Sequence, residues 1–327
     1  MKRILISVFL AAICLSSFGQ KQEEKKKFQI KGQPIVTVFA NYHAGIGNAN
    51  KESGFALDRA YLGYQFSLTE KLSGKVVFDM GSTKVSGSDL ERVAYIKNAM
   101  LSWKTGNFTL DFGLIGLEQF NVQEKFWGYR YIMKSFQDEY KFGSSADMGI
   151  LGKYKFTKWL SADITINGEG YKKLNGDNKY RYAVGATILP VKNLTIRTYY
   201  DLASKSIEGD ETKDQQNLAF FAGYKHELFS IGAEYNQMYN TKFKEDNDQS
   251  GFSVYSTIKL EDQFNLFGRY DNLGSKDDWS SADGQRILVG IQYAPIKQLK
   301  IAPNFSTWNP RDGKSSSFVY LNIEFKL

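Results

Sequence analysis

The segment "TILPVKNLTIRTYY", residues 187–200, contains a turn followed by a strongly alternating run. Pro190 to Asn193 has the composition of a turn, and after it Leu194 and Ile196 fall on one side of the chain and Arg197 on the other. Alternation with a period of two predicts a β-strand with one apolar face and one polar face. The fold must therefore offer an apolar environment on one side of this strand and a wet one on the other.

The same pattern occurs seven times along the chain. The first apolar residues after the seven turns are Leu72, Phe108, Leu160, Leu194, Phe229, Phe264 and Leu299, at intervals of 36, 52, 34, 35, 35 and 35 residues. Alternation also precedes each turn, so the repeating unit is a hairpin with a short turn, and longer links join successive hairpins. Strands of about ten residues joined alternately by short and long links are typical of a transmembrane β-barrel.

Counting alternating segments from Ile35 predicts sixteen strands, seven short turns and eight longer loops. The approximate strands are 34–43, 56–68, 72–81, 92–104, 107–117, 144–156, 159–171, 179–189, 193–203, 215–226, 228–239, 250–260, 263–273, 284–294, 298–308 and 316–327. The last strand alternates as far as Leu327, so it can close against the first and leave no open edge. We therefore predict an all-β fold, a transmembrane antiparallel β-barrel of about 16 strands. A soluble β-sandwich, with less regular spacing, is the alternative.

The amino-terminal residues indicate export. Lys2 and Arg3 precede an apolar run over residues 4–15, which predicts a secretory signal peptide over residues 1–20. Cys14, the only cysteine, is removed with this peptide unless it is a lipoprotein acylation site, so the mature chain forms no internal disulfide. Residues 21–33 are predicted to be a charged periplasmic tail before a single barrel domain over residues 34–327. We expect the chain in the outer membrane of a Gram-negative bacterium, surrounded by outer-membrane lipids.

One interval exceeds the others by about 17 residues, and the extra residues fall between the fifth and sixth strands. This segment, 118–143, lacks alternation and carries eight aromatic residues: Phe120, Phe126, Trp127, Tyr129, Tyr131, Phe136, Tyr140 and Phe142. A loop so rich in apolar rings is poorly placed in open water. We expect it to fold into the lumen as a constriction loop or to cap the mouth of the barrel.

Three segments resemble a known family. They are "NAMLSWKTGNFTLDFGLIGLEQF", "SSADMGILGKYKF" and "LSADITINGEGYKKL", at residues 98–120, 144–156 and 160–174. They are similar to outer-membrane porins, most closely those related to the phosphate-selective porin O and P family. The resemblance implies a 16-stranded porin, often a homotrimer, whose third outer loop bends inward to narrow the pore, and the insert stands at that loop. The arginine ladder of the phosphate-selective relatives is not evident.

If the apolar side chains of each strand face lipid, the side chains that alternate with them face the lumen. This assignment places thirteen basic and nine acidic side chains in the lumen, an excess of four positive charges. The basic residues are Arg59, Lys75, Lys104, Lys153, Lys155, Arg181, Arg197, Lys225, Lys259, Arg269, Arg286, Lys300 and Lys326, and the acidic ones are Asp79, Asp111, Asp147, Asp163, Glu169, Asp201, Glu234, Asp271 and Glu324. Such an excess favours anions weakly. Alternatively, many of these charges pair between neighbouring strands and only keep the wall polar.

The insert adds charges of both signs, with Lys125, Arg130, Lys134 and Lys141 among its basic residues. We expect the pore and its constriction to be lined by Lys125, Arg130, Lys134, Arg181, Arg197, Arg269, Arg286 and Lys153. The alternative is a loop whose aromatic rings simply pack against the wall.

Enzymatic function is poorly supported. The chain has two histidines, and neither a zinc-protease, a nucleotide-binding nor a nucleophile-elbow motif is present. We expect no catalytic residues, no metal, no cofactor and no nucleic-acid partner. The predicted function is passive diffusion of small hydrophilic solutes with a weak preference for anions. Phosphate-like anions are candidates among these solutes. The alternative is a surface-binding or adhesive barrel with an occluded lumen, which long outer loops would favour, but apart from the insert the outer loops have only about 7–13 residues.

Overall fold

In a computed structural model the chain forms a closed antiparallel barrel of sixteen strands. The structure describes residues 29–82, 92–168, 179–205 and 211–327. Each strand pairs with its neighbours in sequence, and the first strand pairs with the last, with Ala40 opposite Ile323. The predicted fold class is thereby confirmed. The predicted signal peptide, the lumen-facing Glu169 and the end of the predicted seventh strand lie outside the described residues.

The strand bounds lie within a few residues of the predicted ones. The strands are β1 Lys31–Ile46, β2 Ser53–Ser67, β3 Leu72–Ser82, β4 Arg92–Thr105, β5 Phe108–Gly116, β6 Ala146–Lys155, β7 Leu160–Asn167, β8 Arg181–Ile188, β9 Leu194–Ala203, β10 Gln215–Lys225, β11 Phe229–Tyr239, β12 Gln249–Lys259, β13 Phe264–Ser275, β14 Gly284–Ile296, β15 Leu299–Pro310 and β16 Ser316–Lys326. β1 begins earlier than expected because Lys31 pairs with Ser67, and backbone pairing needs no apolar side chain.

The segment at 187–200 forms the hairpin of β8 and β9. Asn193, with φ 71°, adopts the left-handed conformation that asparagine tolerates well, and this closes the turn. Ile188 then faces Ile196 across the ladder. Beyond the turn Arg197, Tyr199 and Asp201 are buried, so the predicted division of this strand into two faces is confirmed.

The outer surface of the barrel is apolar along its strands. Ile164, Val184 and Val289 expose 62, 50 and 46 % of their surface, whereas the residues of opposite parity turn inward. A sheet whose exposed side chains are this apolar is suited to contact with lipid tails, and its closure satisfies the backbone groups of every strand.

Two kinds of connection alternate around the barrel. The seven on the side of the chain termini have two to five residues, and the eight on the opposite side include the long connection over residues 117–145. This connection contains two short helices, α1 Asn121–Trp127 and α2 Phe136–Glu139, and α1 ends where Gly128 adopts φ 76°. We call residues 117–145 the inner loop. No helix in the described part of the chain is long and apolar enough to cross a membrane.

Candidate functional site

The inner loop lies inside the barrel and reaches across it. The hydroxyl of Tyr131 donates a hydrogen bond to Gln292 of β14 at 3.1 Å, and that of Tyr140 donates to Asp271 of β13 at 2.9 Å. The amide of Asn322, on β16, donates to the carbonyl oxygen of Tyr131 at 3.3 Å. Since the loop leaves the wall at β5 and returns at β6, these contacts on β13, β14 and β16 show that it crosses the lumen.

The aromatic residues of the inner loop pack against inward-facing rings of the wall. The ring centroids of Tyr129 and Phe267 are 4.4 Å apart, and those of Phe126 and Phe221 are 5.2 Å apart. Trp127 packs between Tyr255 and Phe267 and is almost fully buried. This cluster forms an apolar core inside the barrel, on the side of β10 to β14. The expectation that the rings fix the loop to the wall is met by these contacts.

Two arginines fasten the inner loop, one at its start and one near its middle. Arg197 pairs with Asp163 of β7 at 2.7 Å and donates to the carbonyl oxygen of Glu118 at 2.8 Å. The pair passes over β8 at Gly185, where an added Cβ would lie 2.4 Å from a guanidinium nitrogen of Arg197. Arg269 pairs with Asp271 at 2.8 Å and donates to the carbonyl oxygen of Lys134 at 2.6 Å.

These contacts require a correction to the predicted pore lining. The side chains of Arg197 and Arg269 expose 2 and 1 % of their surface, and Arg181 is buried against Asp201. A buried guanidinium that is already paired does not contact a passing solute. The alternation of side chains along each strand correctly places Arg181, Arg197 and Arg269 inside the barrel. It contains no information on which inward-facing side chains the inner loop covers.

Most inward-facing arginines, and two lysines, have a carboxylate partner from the predicted lumen set. The pairs are Arg59–Asp79, Lys153–Asp111, Arg181–Asp201, Arg197–Asp163, Arg269–Asp271 and Lys300–Glu324. Four join adjacent strands, one spans an intervening strand and one lies within β13. These six cations therefore fit the alternative in which inward-facing charges pair with one another and keep the wall polar, since each positive charge is compensated within the wall.

The part of the lumen beside β14 to β16 and β1 to β4 holds two cavities. One, of about 330 Å³, is lined by the strand residues Asp58, Arg59 and Arg286 and by Arg130 and Lys134 of the inner loop. The other, of about 390 Å³, is lined by Gln33 and Gln65 and by Ser73, Lys75 and Ser102 nearer the short turns. We call these the upper and lower cavities. They are parts of the lumen that the aromatic core of the loop does not fill.

The predicted cations of the upper cavity differ in their partners. Arg130 pairs within the loop with Glu124 at 2.9 Å and Asp138 at 3.2 Å, so its charge is compensated. Burial raises the pKa of Glu124, although Arg130 opposes that shift, and burial lowers the pKa of Lys134. Arg286 lies 5.2 Å from the ring centroid of Trp308 and donates to the hydroxyl of Ser306 at 3.3 Å.

The remaining predicted residues are Lys125 of the inner loop and Lys153 of β6. Lys125 is exposed on α1, and Lys153 pairs with Asp111 at 2.9 Å and with Glu118 at 3.6 Å. The predicted site residues therefore do not form one ring. They divide into buried anchors, compensated pairs and a few cations that face the two cavities.

Two inward-facing charges were missed by the alternation pattern. Lys97 is the extra residue at a bulge in β4, where the register shifts between Val77 and Phe78 of β3, and Asp58 is the extra residue at a bulge in β2 opposite Phe39 and Ala40. A bulge reverses the parity of the residues beyond it. Lys97 lies 5.0 Å from the ring centroid of Tyr61 and donates to the hydroxyl of Ser145 at 3.3 Å.

Among the described residues no cluster of histidine, cysteine, aspartate and glutamate is arranged to hold a metal ion. The chemistry of the interior is thus that of a charged, hydrogen-bonded wall around two cavities. Such a wall can select solutes by size and by charge.

Comparison with known proteins bears on the fold. No protein-family model and no curated protein sequence matches the chain. Among solved structures, it is similar to the outer-membrane channel DcaP of Acinetobacter baumannii, with 14 % identity and a TM-score of 0.68 over 94 % of this chain and 100 % of that one. It is similar to OmpF of Salmonella typhi, with 13 % identity and a TM-score of 0.70 over 90 and 97 % of the two chains. An anion-selective porin from Comamonas acidovorans has 12 % identity and a TM-score of 0.68 over 91 and 100 %. The chain therefore has the closed-barrel fold seen in outer-membrane porins.

Proposed function

We propose that the chain is an outer-membrane porin of a Gram-negative bacterium, a passive diffusion channel for small hydrophilic solutes with a weak preference for anions. The observation that carries the proposal is the uneven filling of the barrel. The aromatic core of the inner loop packs mainly against β10 to β14, whereas the upper cavity lies beside β14 to β16, β1 and β2, and the lower cavity beside β1 to β4. A sealed strand wall with an apolar exterior and a polar, partly open interior suits a water-filled channel in lipid.

The preference for anions follows from the charges beside the two cavities. Within the described residues, no carboxylate lies within ion-pair distance of Lys31, Lys75, Lys134 or Arg286, while Asp58 and Glu139 are the carboxylates of the upper cavity without an ion-pair partner. Four unpaired cations against two unpaired carboxylates leave a small positive excess. Charges along a narrow, low-dielectric passage set ion preference by the field that they focus there.

Phosphate-like anions belong to this proposal only as members of a general class. The resemblance to phosphate-selective porins supports phosphate as a permeant ion. Three of the four arginines that strand parity suggested for the pore are buried in ion pairs, so they do not line a ladder along the cavities. We therefore propose that phosphate passes without tight binding, so that millimolar phosphate leaves a chloride current nearly unchanged, whereas a strong block would indicate a dedicated phosphate site.

We also propose that the barrel assembles as a homotrimer, since the porins that it resembles often do. Light scattering of the folded protein in detergent gives the number of chains in a particle. A mass corresponding to one chain would contradict this part of the proposal.

A second function is favoured by how completely the inner loop fills part of the lumen. Trp127 and Phe136 of the loop are almost fully buried within the barrel. If the loop closes the remaining space, the protein is a surface-binding or adhesive barrel rather than a channel.

Electrical recording separates the two functions. Purified protein in a planar bilayer should give stepwise increases in conductance, and in a tenfold gradient of KCl the reversal potential should have the sign of an anion-preferring pore. Insertion without any conductance would favour the occluded barrel. Conductance with a cation-preferring reversal potential would leave a channel but refute the assignment of its charges.

A further inference from the structure

A third cavity, of about 770 Å³, lies on the long-loop side of the inner loop. Tyr140 and Phe142 of the inner loop line it, together with Phe243 from the connection after β11 and Trp279 from the connection after β13. None of the described residues that line it also lines the upper or lower cavity. Its volume is in the range of sites for small organic ligands, and its aromatic walls are typical of them. We call it the outer cavity.

Basic side chains surround the outer cavity without matching carboxylates. Lys141, Lys205 and Lys242 line it, and no described carboxylate lies within ion-pair distance of any of them. The ammonium of Lys205 lies 5.7 Å from the ring centroid of Phe243. Asp147, which also lines the cavity, is buried and accepts hydrogen bonds from the Met148 backbone at 2.8 Å and from an amide. The cavity therefore carries an excess of positive charge beside apolar rings.

The backbone that presents these side chains is held in an unfavourable conformation. Asn240, Lys242 and Phe243 have φ of 54, 61 and 62°, in the left-handed region that residues other than glycine rarely adopt. The Lys242 backbone amide donates to the Gln215 side chain at 3.0 Å, and that of Lys213 donates to the Phe243 carbonyl at 2.9 Å. These bonds keep Lys242 and Phe243 at the edge of the cavity.

Two buried polar atoms at the same cavity have no hydrogen-bond partner within the described structure. They are the hydroxyl oxygen of Thr241 and the side-chain carbonyl oxygen of Asn167. A buried polar group without a partner is costly, so the wall of the cavity is imperfectly paired at these two residues.

We infer that the outer cavity binds a small organic anion that carries a carboxylate and one apolar ring. The ring fits beside Phe243 and Trp279, and the carboxylate pairs with the ammonium groups of Lys205 and Lys242, whose hydrogen bonds to it are charge-assisted. The ligand would thus be held on the long-loop side, apart from the upper and lower cavities.

Calorimetric titration of the folded full-length protein in detergent tests this inference, with benzoate as the probe. Benzoate should bind saturably at one site per chain, and both acetate, which lacks the ring, and benzyl alcohol, which lacks the charge, should bind at least tenfold more weakly. Equal affinity for acetate and benzoate would show that the cavity attracts anions without recognising a ring, which contradicts the inference. The absence of saturable heat with benzoate would also refute it.

Paired variants locate the site. Lys205→Gln with Lys242→Gln should weaken benzoate binding at least tenfold, whereas the matched pair Lys244→Gln with Lys314→Gln, at exposed lysines that do not line the cavity, should leave it unchanged. Equal effects of the two pairs would refute the assignment. Because binding is measured without a current, a barrel that binds benzoate but does not conduct would disprove the proposed channel and leave this inference intact.

Discussion

Replacing Arg197 by methionine should destabilise the folded barrel by about 3–5 kcal/mol, because it leaves a buried carboxylate without its partner. Arg197 donates to Asp163 at 2.7 and 3.0 Å, and the Asp163 side chain is itself only 10 % exposed. A third bond, of 2.8 Å to the Glu118 carbonyl, is lost as well and frees the start of the inner loop.

The magnitude distinguishes an anchor from a pore-lining side chain. If Arg197 faced open water in the passage, its ion pair would be worth at most about 1 kcal/mol. Arg197→Lys should give an intermediate loss, since one ammonium cannot reproduce the bidentate contact with Asp163 and also reach Glu118. Gly185→Ala should resemble Arg197→Met, because the added methyl would lie in the path of the ion pair.

Urea titration of the barrel in lipid vesicles, followed by tryptophan fluorescence, measures the free energy of unfolding. The double variant Arg197→Met with Asp163→Leu is the control, and it should recover part of the loss because no charge is then left buried alone. Two results would refute the description of this arginine as a buried anchor. One is a loss of unfolding free energy below 1 kcal/mol for Arg197→Met, and the other is a loss in the double variant equal to the sum of the two single losses.

Other consequences concern the wall, the passage and the stability of the closed sheet. Val289→Arg, on the lipid face near the middle of β14, should cost about 2–4 kcal/mol in the same urea titration, whereas Val289→Leu should cost little; similar losses would place this residue off the lipid face. Lys97→Glu should shift the reversal potential in a KCl gradient toward cation preference, whereas Lys314→Glu, on an exposed loop, should shift it less. Equal shifts would show that Lys97 does not face the passage. Unheated protein should migrate differently from boiled protein on a denaturing gel, and identical mobility would argue against a closed barrel.

The sequence predicts the barrel well because alternation is local. In β9 the alternation of Ile196, Arg197 and Tyr199 reflects only the period of a strand, and the structure places these residues on the predicted faces. The long interval between Phe108 and Leu160 likewise locates the inner loop, since an excess of residues between two strands must leave the wall.

The roles of individual charges were less predictable because they depend on distant residues. Arg197 is covered by Glu118, which lies 79 positions away in the sequence, and no local pattern reveals that contact. Lys97 and Asp58 were assigned no inward role because a bulge reverses parity without any change in composition. The alternation pattern does not reveal the outer cavity, because most of its lining comes from irregular connections, which have no sequence period.

Single-channel recording of the full chain and of a variant that lacks residues 121–138, in the same bilayer and salt, tests most directly whether the inner loop narrows an open passage. We expect a measurable conductance for the full chain and a larger one for the variant, because the deletion removes α1 and the aromatic residues that pack inside the barrel. Equal conductance in a variant that remains folded would contradict it, since the loop would then lie outside the path of the ions.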